Sequence, residues 1–194
     1  MAIRLVVDTN VLIPGGEKDE ETIESIKEFG SLLPEVARYE EVMIYLSAEI
    51  IKEYQLVPAK LKKLKEQLPR FHRFLDKIIP IFYLYRKKRC RSISLEKYIE
   101  LKLKFHVIET TKLNYDVVNE FINDPEDEKF LRLALALAKG GEIFIISVDR
   151  ESLLKLDVKK LCKRYREAEK IRIYKPKDFV ERVIRPLLES ERIS

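Results

Sequence analysis

The sequence predicts an α/β protein, a parallel-sheet α/β/α sandwich, and three observations carry that prediction. Short apolar runs rich in β-branched residues recur along the chain, at Leu5-Val6-Val7, Val42–Leu46, Phe105–Ile108, Glu142–Ser147 and Ile171–Tyr174. Each is too short for a helix core and reads as a strand, the first and fourth as buried parallel strands. Between them lie longer stretches with helical spacing, and strand–helix alternation is the mark of a parallel sheet. The third observation is chemical. Asp8 follows the first run directly, at the strand end where open α/β sheets place their ligand crevice.

Taken in order, helices are expected over Glu20–Phe29 and Pro34–Glu41, ahead of the strand Val42–Leu46. Ser47 is a good N-cap for a helix running from Ala48 to about Gln55. Pro58, Pro69 and Pro80 then punctuate a basic, helix-rich stretch with apolar stripes at Leu61, Leu64, Leu68 and at Phe71, Phe74, Leu75, Ile78. A further helix is expected from Ser92 through Lys104, the strand Phe105–Ile108 after it, and a helix over Tyr115–Ile122. Asp124-Pro125 opens a long helix with a buried Phe130–Ala138 run, which Gly140-Gly141 terminates. Pro176, after the last strand, starts the final helix at its first position. The expected organisation is a single domain over 1–194, into which a basic helical region of roughly 56–104 is inserted.

Composition narrows the classes. The 194 residues suffice for one real core, and 46 % apolar with 37 % charged residues is a globular balance. Abundant Lys and Glu with two Gln and four Asn give a thermophile-like bias. Cys90 and Cys162 are too few for a disulfide framework, and they show no zinc-ligand spacing with His72 and His106. No leader-like segment precedes the first strand and no apolar run nears membrane-span length, so a cytoplasmic protein is expected. The net charge of +5 hides an asymmetry. Ala59–Lys112 holds sixteen Lys/Arg against five Asp/Glu, a balance of +11 that leaves −6 for the rest. A basic block beside an acidic remainder suits a polyanion-binding surface next to a cation site, although solvated helix faces have the same composition.

Other acids fall at positions equivalent to Asp8. Glu49 and Glu53 share one face of the helix after the second strand. Asp127 lies in the first turn of the helix opened by Asp124, and Asp149 follows the Glu142–Ser147 strand with Glu151 two residues on. Each has a structural alternative. Asp8 and Asp149 are competent helix caps, Asp124 is a good N-cap with Asp127 three residues later, and Glu49 and Glu53 suit an exposed helix face. Together, however, carboxylates gathered at one sheet edge repel one another unless a cation holds them. Hard divalent ions prefer such oxygen ligands and need no His or Cys.

Four segments in this order, Val6-Val-Asp-Thr-Asn-Val-Leu-Ile13, Leu46-Ser-Ala-Glu-Ile-Ile-Lys-Glu53, Asp124-Pro-Glu-Asp-Glu-Lys-Phe-Leu131 and Ile145-Ile-Ser-Val-Asp-Arg-Glu-Ser-Leu-Leu154, resemble the PIN-domain nucleases. Ile173-Tyr-Lys-Pro-Lys-Asp-Phe179 is similar to that family's last strand and helix start. The resemblance implies a PIN-like fold and an acidic quartet of Asp8, Glu53, Asp127 and Asp149 that binds one or two Mg²⁺ or Mn²⁺ ions. It implies that Thr9 or Asn10 orients Asp8 or a water, that Ser147 supports the site, and that Glu151 is peripheral, because the family commonly has Asp there. The basic insertion is not general to the family.

The activity so implied is metal-dependent endoribonuclease cleavage giving 5′-phosphate and 3′-hydroxyl ends. Arg86, Lys87, Lys88, Arg89 and Arg91 are expected to hold the RNA backbone, and Phe82, Tyr83 and Tyr85 to stack on bases or fill a core. Two alternatives stand beside it: an RNA-binding or partner-recruiting module that retains the acids without cutting, and a toxin ribonuclease restrained by a small antitoxin. PIN domains commonly dimerise, so a homodimer is compatible with the sequence.

Overall fold

The computed structural model describes residues 2–12, 18–54, 103–108 and 120–193. Its centre is a five-stranded, all-parallel sheet of β1 (Ala2–Val7), β2 (Glu41–Ser47), β3 (Leu103–Ile108), β4 (Ile143–Ile146) and β5 (Ile171–Tyr174). The spatial order is β3-β2-β1-β4-β5. Leu5 is aligned with Ile44 of β2 on one side and with Phe144 of β4 on the other. The order therefore reverses between β1 and β4, and a crevice opens there at the carboxyl ends of the strands. All four residues of β4 are buried, as are Ile3, Leu5, Val6 and Val7 of β1. Helices cover both faces because strands this apolar leave no face for water.

Helix α1 (Glu20–Val36) is capped by Asp19, whose carboxylate accepts from Thr22 N at 2.7 Å. It runs through the point where two helices were expected. Ile26, Phe29, Leu33 and Val36 are all buried at helical spacing, and that continuous stripe carries the helix across Gly30. Ser47 caps α2 (Ala48–Tyr54) through a bond from Ile50 N at 3.3 Å, as its sequence position predicts. Helix α3 (Glu128–Ala138) packs on β4, β1, β2 and β5 with its apolar face, and a single 3₁₀ turn, Pro125–Asp127, leads into it. Beyond it come α4 (Val158–Arg164), then α5 (Pro176–Phe179), a π-helical stretch Val180–Ile184 and α6 (Arg185–Ile193). Phe179 locks α5 to both α1 and β4, with ring centroids 6.0 Å from Phe29 and 5.4 Å from Phe144.

Further boundaries differ from the sequence reading: the helix expected to run to Glu41 ends at Val36, and Glu41 opens β2. Leu103 and Lys104 belong to β3, paired with Val42 and Met43, and not to a preceding helix. Glu120–Ile122, expected as the end of a helix, forms a turn that delivers the chain to Asp124. The basic region, with Arg86, Lys87, Lys88, Arg89, Arg91 and the Phe82, Tyr83, Tyr85 cluster, lies outside the described residues. Among the described residues no helix is long and apolar enough to cross a membrane.

The α3–β4 connection depends on one backbone conformation. Gly141 has φ +136°, and a Cβ there would stand 3.2 Å from Nη1 of Arg4. That guanidinium is fixed by donating to the Leu137 carbonyl at the end of α3, at 3.0 Å. Gly141→Ala is expected to lower unfolding stability by roughly 1–2 kcal/mol in urea melts. Gly140, whose φ is not positive, is expected to tolerate the same change better.

Candidate metal centre

The parallel topology delivers three strand ends and one helix start to a single edge. Asp8 follows β1, Ser147 and Asp149 follow β4, Glu53 lies on the helix that follows β2, and Asp127 closes the 3₁₀ turn before α3. Asp8 is 1 % exposed. Its backbone N–H donates to Ile146 O at 2.9 Å, extending the β1–β4 ladder by one bond and fixing where the carboxylate emerges. Oδ2 accepts from the Ser147 hydroxyl at 2.6 Å, and Oδ1 from the Asn10 backbone N–H at 2.9 Å. Burial pushes the Asp8 pKa up from 3.8 to about 6. The bonds from Ser147 and Asn10 pull against this, and the charges of Glu53 and Asp149 add to it.

Ser147 is fully buried and works in two directions, donating to Asp8 while its Oγ accepts from Asp149 N at 2.9 Å. It thereby sets the spacing between the β1 and β4 acids. Asp149 holds its own turn through Oδ1, which accepts from Glu151 N at 2.7 Å and Ser152 N at 3.1 Å. Asp124 does the same for the 3₁₀ turn, accepting from Glu126 N at 2.9 Å. The capping role read from the sequence for Asp124 is therefore real, whereas Asp149 holds a turn and the 3₁₀ turn that follows, Leu153–Lys155, has Ser152 as its N-cap. These roles do not exhaust the two acids. One carboxylate oxygen each from Asp124, Asp127 and Asp149 lies within 4.8 Å of the others.

Apart from its ion pair with Lys129, Glu53, half-buried, keeps an Oε2 without a hydrogen-bond partner among the described residues, and Asp127 keeps such an oxygen at greater burial. Asp127 is 5 % exposed, and its Oδ2 is that oxygen. Burial pushes its pKa from 3.8 to about 7. The Ser152 hydroxyl opposes the rise, while the Asp8 charge and Asp149 reinforce it. An acceptor oxygen buried without a donor costs roughly 1–3 kcal/mol, and more when charged. A cation would remove that cost, and the donor set, hard carboxylate oxygens alone, is the one Mg²⁺ and Mn²⁺ prefer.

The remaining predicted residues fall around this centre. Glu53 stands to one side, with its Oε2 2.6 Å from Nζ of Lys129 on α3. Its charge is felt by Asp8 and by the buried Tyr54, whose hydroxyl donates to the Val7 carbonyl behind Asp8. Glu49, one turn earlier, is half-buried and pairs with Arg132 at 3.1 Å. Thr9 is buried with an Oγ1 that has no partner among the described residues, while Asn10 acts on Asp8 through its backbone N–H and leaves its side chain exposed. Glu151 points outward and pairs with Lys155. Of the predicted quartet, Asp127 and Asp149 share the close cluster, and Asp8 and Glu53 flank it.

Three participants are absent from the sequence reading of the site. Asp124 was assigned to capping, and only the tight turn at Pro125 shows that one carboxylate serves both turn and cluster. Ser152 and Lys129 carry no local signal, since a Ser in a loop and a Lys on a helix are ordinary surface choices. Comparison with known proteins yields no similarity on which to lean: no family model, no curated protein and no solved structure matches the chain.

Proposed function

We propose that this chain is a Mg²⁺- or Mn²⁺-dependent endoribonuclease of the PIN type. The observation that carries the reading is the convergence of one carboxylate oxygen each from Asp124, Asp127 and Asp149 within 4.8 Å at the sheet's switch point, with a buried Asp127 oxygen that has no hydrogen-bond partner among the described residues. The order of the acidic segments along the chain supports the family, and the +11 block between Ala59 and Lys112 supports a polyanionic substrate.

Asp127, Asp149 and Asp124 would hold the cation, with Asp8 and Glu53 completing the charge around it. A divalent ion in such a site lowers the pKa of a water and neutralises charge on a phosphodiester. The chain's own contribution is placement. Asp8 is locked from three directions, by Ser147, by Asn10 N–H and by its own bond to Ile146 O. Asp149 and Asp124 are pinned by their turns through one oxygen each, so the ligands need little reorganisation. Asp127 stays free to take or lose a proton near neutral pH, which keeps the unloaded centre from carrying every negative charge at once.

The test is cleavage of single-stranded RNA with Mn²⁺, with products mapped for 5′-phosphate ends. Cleavage by the wild type, its loss in EDTA and its loss in Asp127→Asn are the expected results. Activity that survives both EDTA and Asp127→Asn overturns the reading. RNA binding without metal-dependent cleavage on any substrate would instead favour a non-cutting RNA-binding module.

A further inference from the structure

Lys129 occupies a position that no role described so far explains. It is the second residue of α3, two positions after Asp127, and its side chain is 11 % exposed. Its Nζ is 2.6 Å from Glu53 Oε2 and 3.4 Å from Glu126 Oε2, and it sits 5.1 Å from the Phe130 ring. A lysine seldom gives up this much hydration for a surface ion pair. Beyond it opens a groove of about 420 Å³, bordered by Glu49, Glu53 and Arg132 and also by Lys52. The groove shares Glu53 with the acidic edge, so it leads directly away from the metal centre.

Resting on the cation reading above, we propose that Lys129 is a built-in counter-ion: it holds Glu53 while the centre is unloaded and is handed to a phosphate of the RNA strand once a divalent cation takes over Glu53. Two charges at this distance attract strongly in a half-buried setting, so Glu53 cannot serve the ammonium and a divalent ion equally. Freed from Glu53, the ammonium is a compact point charge on a flexible stem at the mouth of the groove, suited to a phosphate oxygen. Arg132 is the contrasting cation. It pairs with Glu49 and Glu128 instead of Glu53, so it has no such exchange to make.

The experiment titrates Mn²⁺ calorimetrically into the wild type, Lys129→Met, Lys129→Arg and Arg132→Met, and follows binding of a fluorescent single-stranded oligoribonucleotide in Ca²⁺ and in EDTA. Lys129→Met is expected to bind Mn²⁺ roughly 3- to 10-fold more tightly, while Lys129→Arg and Arg132→Met stay within about twofold of the wild type. In a Glu53→Gln background the Lys129→Met gain should vanish, because the pair it relieves no longer exists. Oligonucleotide binding by Lys129→Met should weaken in Ca²⁺ and stay unchanged in EDTA. Unaltered Mn²⁺ affinity in Lys129→Met overturns the counter-ion role. An equal loss of RNA binding in Ca²⁺ and EDTA overturns the handover. A wild type that binds no Mn²⁺ overturns the cation reading itself, an outcome distinct from both.

Discussion

Asp8→Asn is expected to lower RNA cleavage on the order of 100- to 1000-fold and at the same time to make the metal-free protein more stable. The two effects have one cause. The site gathers negative charge where solvent cannot screen it, and Asp8 is its most buried acid. Its pKa of about 6 against an ordinary 3.8 means that folding disfavours the ionised form. At pH 7.5 the wild type must keep that charge in place, and the shift corresponds to about 3 kcal/mol of strain. Asn keeps the shape and can still accept from Asn10 N–H, but its amide group meets a Ser147 hydroxyl already accepting from Asp149 N. Part of the gain is lost to that conflict, so a net stabilisation of about 2 kcal/mol is expected at pH 7.5 in EDTA. Chemical denaturation with and without Mn²⁺ checks it. A variant that loses both activity and metal-free stability would show that Asp8 supports the fold and not the chemistry. Glu49→Gln, on the same helix as Glu53 but paired outward with Arg132, should leave cleavage within about twofold.

The sheet was readable because parallel strands buried on both faces announce themselves as unbroken apolar runs, and all five lie where those runs lie. The errors arose where local signals contradict tertiary ones. Gly30 follows the expected helix end at Phe29, yet the buried stripe from Ile26 to Val36 carries α1 across it. Leu103 and Lys104 have the composition of a helix end and become strand because β2 offers them partners, Val42 and Met43. The centre shows the same division. Asp8 and Asp149 are visible from strand ends, since sequence fixes where a strand stops. Asp124 is hidden by its evident capping role, since nothing in a linear string says that a carboxylate which caps a turn also joins an acidic cluster. Lys129 was hidden for a different reason. Its distinguishing property is the partner it meets across 76 positions of chain, at Glu53.

Divalent-cation affinity is expected to climb roughly 30- to 100-fold between pH 5.5 and 7.5, more than either raised acid would give alone. Asp8 and Asp127, at about 6 and about 7, both carry protons at the lower end of this window and must lose them to make room for the cation. Metal-free stability should move in the opposite direction. A carboxyl whose pKa is raised by folding contributes stability that is complete below its unfolded value near 3.8 and lost as pH rises through its folded value. The unloaded protein should therefore weaken from about pH 4 to pH 7, while Mn²⁺ restores it increasingly over the same range. Asp19 and Glu21 act with the other sign, held low by hydrogen bonds from Thr22 and Lys177 respectively. Both are solvent-exposed and screened, and both persist in Asp8→Asn, so the difference between variant and wild type cancels them. Ser147 supplies the internal check. Its hydroxyl is the largest influence opposing the rise at Asp8, so Ser147→Ala should displace the lower limb of the Mn²⁺ affinity profile to higher pH. Thermal melts and Mn²⁺ titrations across pH 5–8 read all of these. A profile that is flat in pH, or one that Ser147→Ala shifts downward, would mean that the buried acids are not the groups a cation must deprotonate.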